Sequence, residues 1–476
     1  MFDNIKLNGT QTKIFKLRDD VAVQIKGVAG SGKSTVALYR LAHMANHAIS
    51  QGSLFAEPVV RPIMFTFNRL LCDYLQKAFT HQFGDKNNKK IIFEFVNFHK
   101  WAYEFMKARG KPLKSTINDP KSTIKGLLAR DESLASKQIT DRDYVAEEVS
   151  WIKGKAISSI AEYLQSDRRG RGRGLQKHHR EAVWELYTAY ERHLGKWNQI
   201  DFNDYALACL KELAIKPLTE EERYTHIIVD EAQDLTKAQL TVITQLLGLD
   251  NNSITIIADA AQQIYNSGFT WADVGIRFAP QNVVDLTGNY RNTKEIGEFA
   301  LQIQHQLSDK IELSKFNLSS QAGERPKLIK VSAVEVFPKT IELVKELGNI
   351  DKGTICLMAR EKLAVNELTR IAYRSGLNVM NISESREIPS GAIDAFVTTM
   401  TASKGLEFDH VIILNVVDGV LPHRIKTDED SEDFYDQELK LLFTAVTRAK
   451  KHLTIINSET SSQFLDPISM QYLVRG

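Results

Sequence analysis

Apolar residues along this chain gather into short continuous runs instead of alternating with polar ones. VAVQIKGV (21–28), PIMFTF (62–67), THIIVD (225–230), SITIIAD (253–259) and NVVDLTG (282–288) form one set. KLIKVS (327–332), GTICLMA (353–359), AFVTTM (395–400), HVIILNVV (410–417) and HLTIIN (452–457) form a second. Runs of this length, rich in β-branched residues and separated by helical stretches, predict strands buried on both faces of parallel sheets. Two sets predict two α/β domains in tandem. Between about 100 and 200 helical periodicity takes over, broken by Pro112, Pro120 and RRGRGRG (168–174), which predicts a helical insertion. The expected division is a first domain from 1–100 and 200–290, the insertion at 101–199, and a second domain at 291–476.

With 476 residues, 43% of them hydrophobic, the chain is long enough for several separate cores. Its 61 lysines and arginines nearly balance 59 acids, a net charge of +2, so any surface for a polyanion has to be local. Residues 101–180 hold it, with 17 basic residues against 10 acidic ones. Within them Arg168, Arg169, Arg171 and Arg173, spaced by glycine, read either as a solvated loop tip or as a phosphate-tracking surface. The acidic run TDEDSED (427–433) reads as a solvated loop. The three cysteines, Cys72, Cys209 and Cys356, show no paired spacing, which fits buried thiols in a reducing compartment and no zinc site. No signal-like N-terminus and no run near the roughly 18 apolar residues of a membrane span are present, so no membrane partner and a cytoplasmic location are expected.

Chemistry enters at GVAGSGKS, where Gly27, Val28, Ala29, Gly30, Ser31, Gly32, Lys33 and Ser34 fit the phosphate-loop pattern between a predicted strand and a predicted helix. Glycines let successive N–H groups curl inward toward phosphate oxygens, and the helix N-terminus adds partial positive charge. Lys33 is then placed for the β- and γ-phosphates of ATP or GTP, and the Ser34 hydroxyl for Mg²⁺. A second Mg²⁺ ligand has to arrive from a neighbouring strand end. Asp230, closing the run THIIVD, is the candidate, and Glu231 beside it is placed to hold or deprotonate the attacking water. Asp234 is expected to cap the helix that follows.

Taken together these residues resemble superfamily 1 helicases of the UvrD/Rep/PcrA type, whose hydrolytic motif reads Asp-Glu-x-Gln-Asp, and the likeness runs through nearly the whole chain. It implies two RecA-like P-loop domains with parallel sheets and a helical insertion in the first. LNGTQ is similar to the adenine-reading motif and implies Gln11 as the base contact. FTFN (65–68) and NFHKWA (97–102) resemble DNA-contacting motifs, implying Thr66, Asn68, Phe98 and His99. DFNDY (201–205) resembles the acidic segment that re-enters the first domain. ADAAQQIY (258–265) implies Gln262 as γ-phosphate sensor. LTGNYRN implies Tyr290 stacked on adenine and Arg291 on the γ-phosphate. TTMTASKGLEF (398–408) implies Glu407 on the ribose, with Thr399 and Thr401 toward DNA, and FTAVTRAK (443–450) implies Arg448 as an arginine finger.

The chain also departs from the family pattern. Thr35 stands where an adenine-sandwiching arginine is usual, Thr401 where histidine is usual, and NSGFTWA replaces an aromatic-Arg-Gly-Ala segment, leaving Phe269 and Trp271 to stack on bases. The accessory subdomain expected before the Lys-Gly-Leu-Glu motif is missing, since GLNVMNISESREIPSGAIDAFVTTM passes from one predicted strand to the next with only a short connector at 381–393, and the short stretch after the last motif is expected to hold no fused nuclease. The leading expectation is an ATP- and Mg²⁺-dependent translocase or helicase on single-stranded DNA, or on DNA with a single-stranded tail, with 3′ to 5′ polarity by resemblance. The second reading is a DNA-stimulated ATPase serving as sensor or regulatory subunit of a partner nuclease, for example in anti-phage defence. RNA remains open as the track.

Overall fold

The computed structural model describes residues 7, 9–28, 30–50, 59–66, 69–84, 91–130, 142–168, 171, 174–248, 253–259, 269–307, 317–350, 353–385, 392–423, 432–458, 460 and 462–476. In chain order the strands of the first half are β1 (Val23–Gly27), β2 (Pro62–Thr66), β3 (Glu94–Asn97), the two-residue β4 (Ser115–Thr116) and β5 (Gln199–Ile200), β6 (His226–Val229), β7 (Ile254–Asp259) and β8 (Val283–Leu286). Six of them form one sheet in the order β3-β2-β6-β7-β1-β8. All its pairings are parallel, with Ile25 opposite both Ile257 and Val284, and Met64 opposite Ile228. Pairing partners distant in sequence require crossover helices, and these cover both faces. That is why strands such as PIMFT are buried at every position.

The second half supplies β9 (Lys327–Lys330), β10 (Ile355–Ala359), β11 (Val379–Asn381), β12 (Ala395–Thr399), β13 (Phe408–Leu414), β14 (Ala449–Asn457) and β15 (Val474–Arg475). They assemble in the order β11-β12-β10-β13-β14-β9-β15, again all parallel. The ten strands expected from the apolar runs are present. β3, β11 and β15 extend the sheets at positions where the sequence shows no long apolar run. One buried cluster joins the two halves: Ile25, Met64 and Ile228 share it with Cys356, Met358 and Ile413.

The helical insertion begins later than residue 101. Helix Phe98–Ala108, capped by Asn97 whose side chain accepts from the Lys100 amide, buries Phe98, Trp101, Ala102 and Met106 in the core of the first sheet. The inserted unit proper comprises helices Pro120–Arg130, Arg142–Gly154, Ile160–Gln165 and Lys177–Lys196. Ile124, Val149, Ile152, Tyr163, Leu186 and Tyr190 form a core of its own. The parallel β4–β5 pair closes its base. All three cysteines are buried, as expected.

Candidate functional site

β1 ends at Gly27 and the next helix starts at Lys33, so residues 28–32 must turn within one loop. Gly30 (φ +76°) and Gly32 (φ +78°) occupy the left-handed region. A Cβ at Gly30 would meet Asn289 Oδ1 at 2.2 Å and one at Gly32 would meet Gln11 Nε2 at 2.5 Å. Glycine is therefore required at both for conformation and for space. Gln11 is buried against the loop and donates to the Ser31 carbonyl at 3.1 Å. Lys33 Nζ donates to the carbonyls of Gly27 (2.9 Å) and Val28 (3.1 Å), folding its ammonium over the cradle. The Ser31 hydroxyl is buried without a hydrogen-bond partner in the structure. Thr35 lies half-buried in the first helical turn, and Ala29 falls outside the described residues.

The acids stand across this loop at the C-terminal end of β6. Asp230 is buried and accepts from the Ser34 hydroxyl at 2.6 Å. Hydroxyl and carboxylate oxygens so placed suit a hard divalent cation such as Mg²⁺. Burial, and then the Glu231 charge, push the Asp230 carboxyl above its ordinary range, against the pull of Ser34 and Lys33. Glu231 sits at φ 52°, ψ 41°, a left-handed conformation rare outside glycine and typical of functional turns. Burial works to raise its carboxyl, but Lys33, Lys404, the Gln233 amide and Arg448 together hold it below its usual range. Gln233 Nε2 donates to Glu231 Oε2 at 2.5 Å. Asp234 does not cap the next helix: Thr236 does, in a reciprocal capping box with Gln239. Asp234 instead pairs with Lys404 Nζ at 2.6 Å, a bond between the two halves of the molecule.

The segments around Asn289–Asn292, Glu407 and Arg448–Lys450 come together opposite the phosphate loop. Asn289 Oδ1 accepts from the amides of Arg291 (3.0 Å) and Asn292 (3.2 Å), and the Tyr290 amide donates to the Gly30 carbonyl at 2.9 Å. This leaves the Tyr290 ring 57% exposed beside the nucleotide loop. Arg291 Nε pairs with Glu407 Oε2 at 2.7 Å, and Lys450 Nζ with Glu407 Oε1 at 3.0 Å. Although burial opposes it, Arg291 and Lys450 bring the Glu407 carboxyl down to about 2. Arg448 is buried with its guanidinium turned to its own half, donating to the carbonyls of Thr444 (2.9 Å) and Leu406 (3.3 Å). Gln262 lies outside the described residues.

The residues that the resemblance assigns to nucleic acid have these surroundings. Thr66 is buried with its hydroxyl on the Cys72 thiol at 2.9 Å. Phe98 is a core residue because the helix it begins packs against the sheet. His99 packs edge-on against Phe202 (5.1 Å) and Tyr205 (5.3 Å). Phe269 and Trp271 are half-buried on the first core, edge to face at 6.4 Å. Of the arginine run, the two described members turn inward. Arg168 pairs with fully buried Glu148 at 2.9 Å, Arg171 with the same carboxylate at 2.8 Å, and Tyr163 donates to it as well. Arg168 and Arg171 therefore brace the insertion from inside. Asn68, Arg169 and Arg173 lie outside the described residues.

An open cleft of about 730 Å³ runs between the halves, lined by Arg69 from the first and Arg360, Lys362, Ser383, Thr399 and Thr401 from the second. Thr401 is exposed on its wall, whereas the Thr399 hydroxyl accepts from the Ala402 amide at 3.2 Å. Sequence reasoning did not single out Arg69, although it directly follows FTFN, nor Arg360 and Lys362, which stand outside any motif. It also missed Lys404 and the 46%-exposed Phe202, although both stand inside quoted motifs.

The family described as UvrD/REP helicase N-terminal domain matches residues 7–279, more than half of the chain. The UvrD-like helicase C-terminal domain matches residues 364–460. The putative ATP-dependent DNA helicase YjcD of Bacillus subtilis (strain 168) is 25% identical over 310 residues, 62% of this chain and 38% of that protein. The ATP-dependent DNA helicase PcrA of Staphylococcus aureus (strain Mu50) is 25% identical over 307 residues, 61% of this chain and 38% of that one. PcrA of Staphylococcus epidermidis matches to the same extent. The chain thus spans well under half the length of the curated relatives it matches. Among the described residues no helix is long and apolar enough to cross a membrane.

Proposed function

The chain belongs to the UvrD-like helicase family, and from that premise we propose that it is an ATP-hydrolysing motor that moves 3′ to 5′ on single-stranded DNA. The observation that carries this reading is convergence: the phosphate loop meets Asp230 through Ser34, Glu231 stands beside it, and Lys404 of the second half reaches Asp234 of the same turn. Gln11 and Tyr290 flank the adenine, and the loop amides with Lys33 bind the phosphates. Ser34 and Asp230 would hold Mg²⁺, which would supply neutralisation of phosphate charge. Glu231, aimed by its left-handed backbone and by Gln233, orients the water for in-line attack. Arg291 and Arg448 meet charge developing on the γ-phosphate once each releases its present partners. Because the second half reaches the phosphates, occupancy of the nucleotide site is coupled to the angle between halves, and the cleft holding Arg69, Arg360 and Lys362 becomes the track. The proposed division is a motor domain of 1–100 and 200–290, the insertion, and a second motor domain of 291–476, with the first boundary moved so that helix Phe98–Ala108 belongs to the first motor domain.

One observation favours a second reading, in which the ATPase senses DNA for a partner nuclease. Only the segment from Asn381 to Ala395 separates β11 from β12, where the family resemblance leads one to expect an accessory subdomain. ATP turnover with single-stranded DNA, with RNA and without nucleic acid, beside displacement of a strand from 3′- and 5′-tailed duplexes, decides between them. The motor reading expects DNA-stimulated turnover and displacement from the 3′-tailed duplex. Stimulation without displacement transfers the case to the sensor reading, and no stimulation by either nucleic acid removes both.

A further inference from the structure

Glu407 stands between two cations carried by different segments, Arg291 on a loop and Lys450 on β14. Arg291 occupies one of its oxygens at 2.7 Å and Lys450 the other at 3.0 Å. The three groups are substantially shielded, with side-chain exposures of 17% for Arg291, 28% for Glu407 and 35% for Lys450. The inference rests on the reading above, in which Arg291 reaches the γ-phosphate. To do so Arg291 has to leave Glu407. A shielded carboxylate that loses its only counter-ion while a triphosphate enters the same cleft faces both desolvation and like-charge repulsion. Lys450 removes that obstacle, because it already holds the other oxygen.

The backbone keeps Lys450 in place independently of where the Arg291 side chain goes. The Lys450 carbonyl accepts from the Thr293 amide at 3.2 Å, and the Asn292 side chain donates to the carbonyls of Thr447 (3.2 Å) and Ala449. Lys450 also lies within β14, whose start at Ala449 is in register with Phe408 on β13, next to Glu407. We propose that Lys450 is a positioning residue that retains Glu407 as a paired carboxylate while Arg291 transfers to the γ-phosphate. Before the nucleotide arrives, two cations share one carboxylate. Afterwards each cation has its own anion: Lys450 with Glu407, and Arg291 with phosphate. The device therefore acts on the distinction between triphosphate and diphosphate, since ADP offers Arg291 no new partner.

The test is calorimetric titration of the full chain with Mg·ATPγS and with Mg·ADP, for wild type, Lys450→Met, Lys450→Arg, Glu407→Gln and the double variant Lys450→Met/Glu407→Gln. Lys450→Met is expected to lose about tenfold in ATPγS affinity while ADP affinity stays within about twofold. Lys450→Arg keeps the charge and the wild-type ratio. In the Glu407→Gln background the neutral amide needs no counter-ion, so adding Lys450→Met changes nothing further. Equal losses for both nucleotides overturn the proposal, because they mark Lys450 as a ligand of the shared phosphates or as a support of the fold. An unchanged ATPγS affinity, or a Lys450→Met effect that persists with Glu407→Gln, overturns it too. Wild-type protein that binds neither nucleotide removes the ATP-site reading itself, and the inference with it.

Discussion

Glu231 combines a function with a strained backbone. Its side chain is the proposed water-orienting group, and its φ of 52° costs an L-residue about 1–2 kcal/mol. Replacement by glycine should relieve that strain, raising stability to chemical denaturation by about 1 kcal/mol while abolishing ATP turnover. Glu231→Gln, which keeps size and backbone, should lower turnover by about 10²–10⁴-fold and leave nucleotide binding intact. Steady-state ATPase measured beside denaturation curves checks both, and retained turnover in either variant ends the assignment. The pairing of Asp230 with Ser34 was legible because phosphate-loop chemistry demands it at whatever separation the chain provides. The left-handed backbone was not, since Val-Asp-Glu-Ala contains no glycine to announce it.

At the level of elements, the insertion shows how a charge run misleads. Alternating glycine and arginine reads as solvent-exposed, yet Arg168 and Arg171 converge on the fully buried Glu148, with Arg171 also over the Tyr144 ring at 5.0 Å. Removing Glu148 leaves two guanidinium groups shielded without an anion. Glu148→Ala should therefore destabilise the insertion by about 3–5 kcal/mol, seen as preferential proteolysis between residues 142 and 196. Arg168→Ala should weaken the same unit while leaving the salt dependence of DNA binding unchanged, and a reduced salt slope would return Arg168 to the DNA surface. Burial opposes ionisation of Glu148, but Arg168 and Arg171 hold its carboxyl below the usual range. A carboxyl lowered in the folded state stabilises fully above its unfolded value. That contribution disappears as pH falls from the ordinary carboxylate range through the lowered one. The insertion should accordingly loosen in acid, read as increased proteolysis between residues 142 and 196 as pH falls. The strand runs were legible because burial on both faces leaves continuous apolar stretches. β3, reading EFVN, was missed because it precedes helix Phe98–Ala108 without a break.

For the molecule as a whole, the two halves share a buried cluster and the Lys404–Asp234 pair, whose side chains retain only 17% and 16% exposure. Such a shielded, charge-assisted bond contributes about 1.5–3 kcal/mol to the closed arrangement. Lys404→Met should open the nucleotide-free protein, increasing its radius of gyration in small-angle scattering. An unchanged radius means that the apolar cluster alone sets the angle. By itself the sequence determined the phosphate loop, the acid pair and the two parallel sheets, because each depends on residue types within a few positions: glycine where φ is positive, a hydroxyl after lysine, apolar runs where both faces are covered. Only the tertiary structure decided which charge meets which. Glu407 with Arg291 and Lys450, Asp234 with Lys404, and Glu148 with Arg168 are pairings across separations that a linear pattern does not encode. Burial strengthens such pairings, and burial is a property of the assembled sheets and helices.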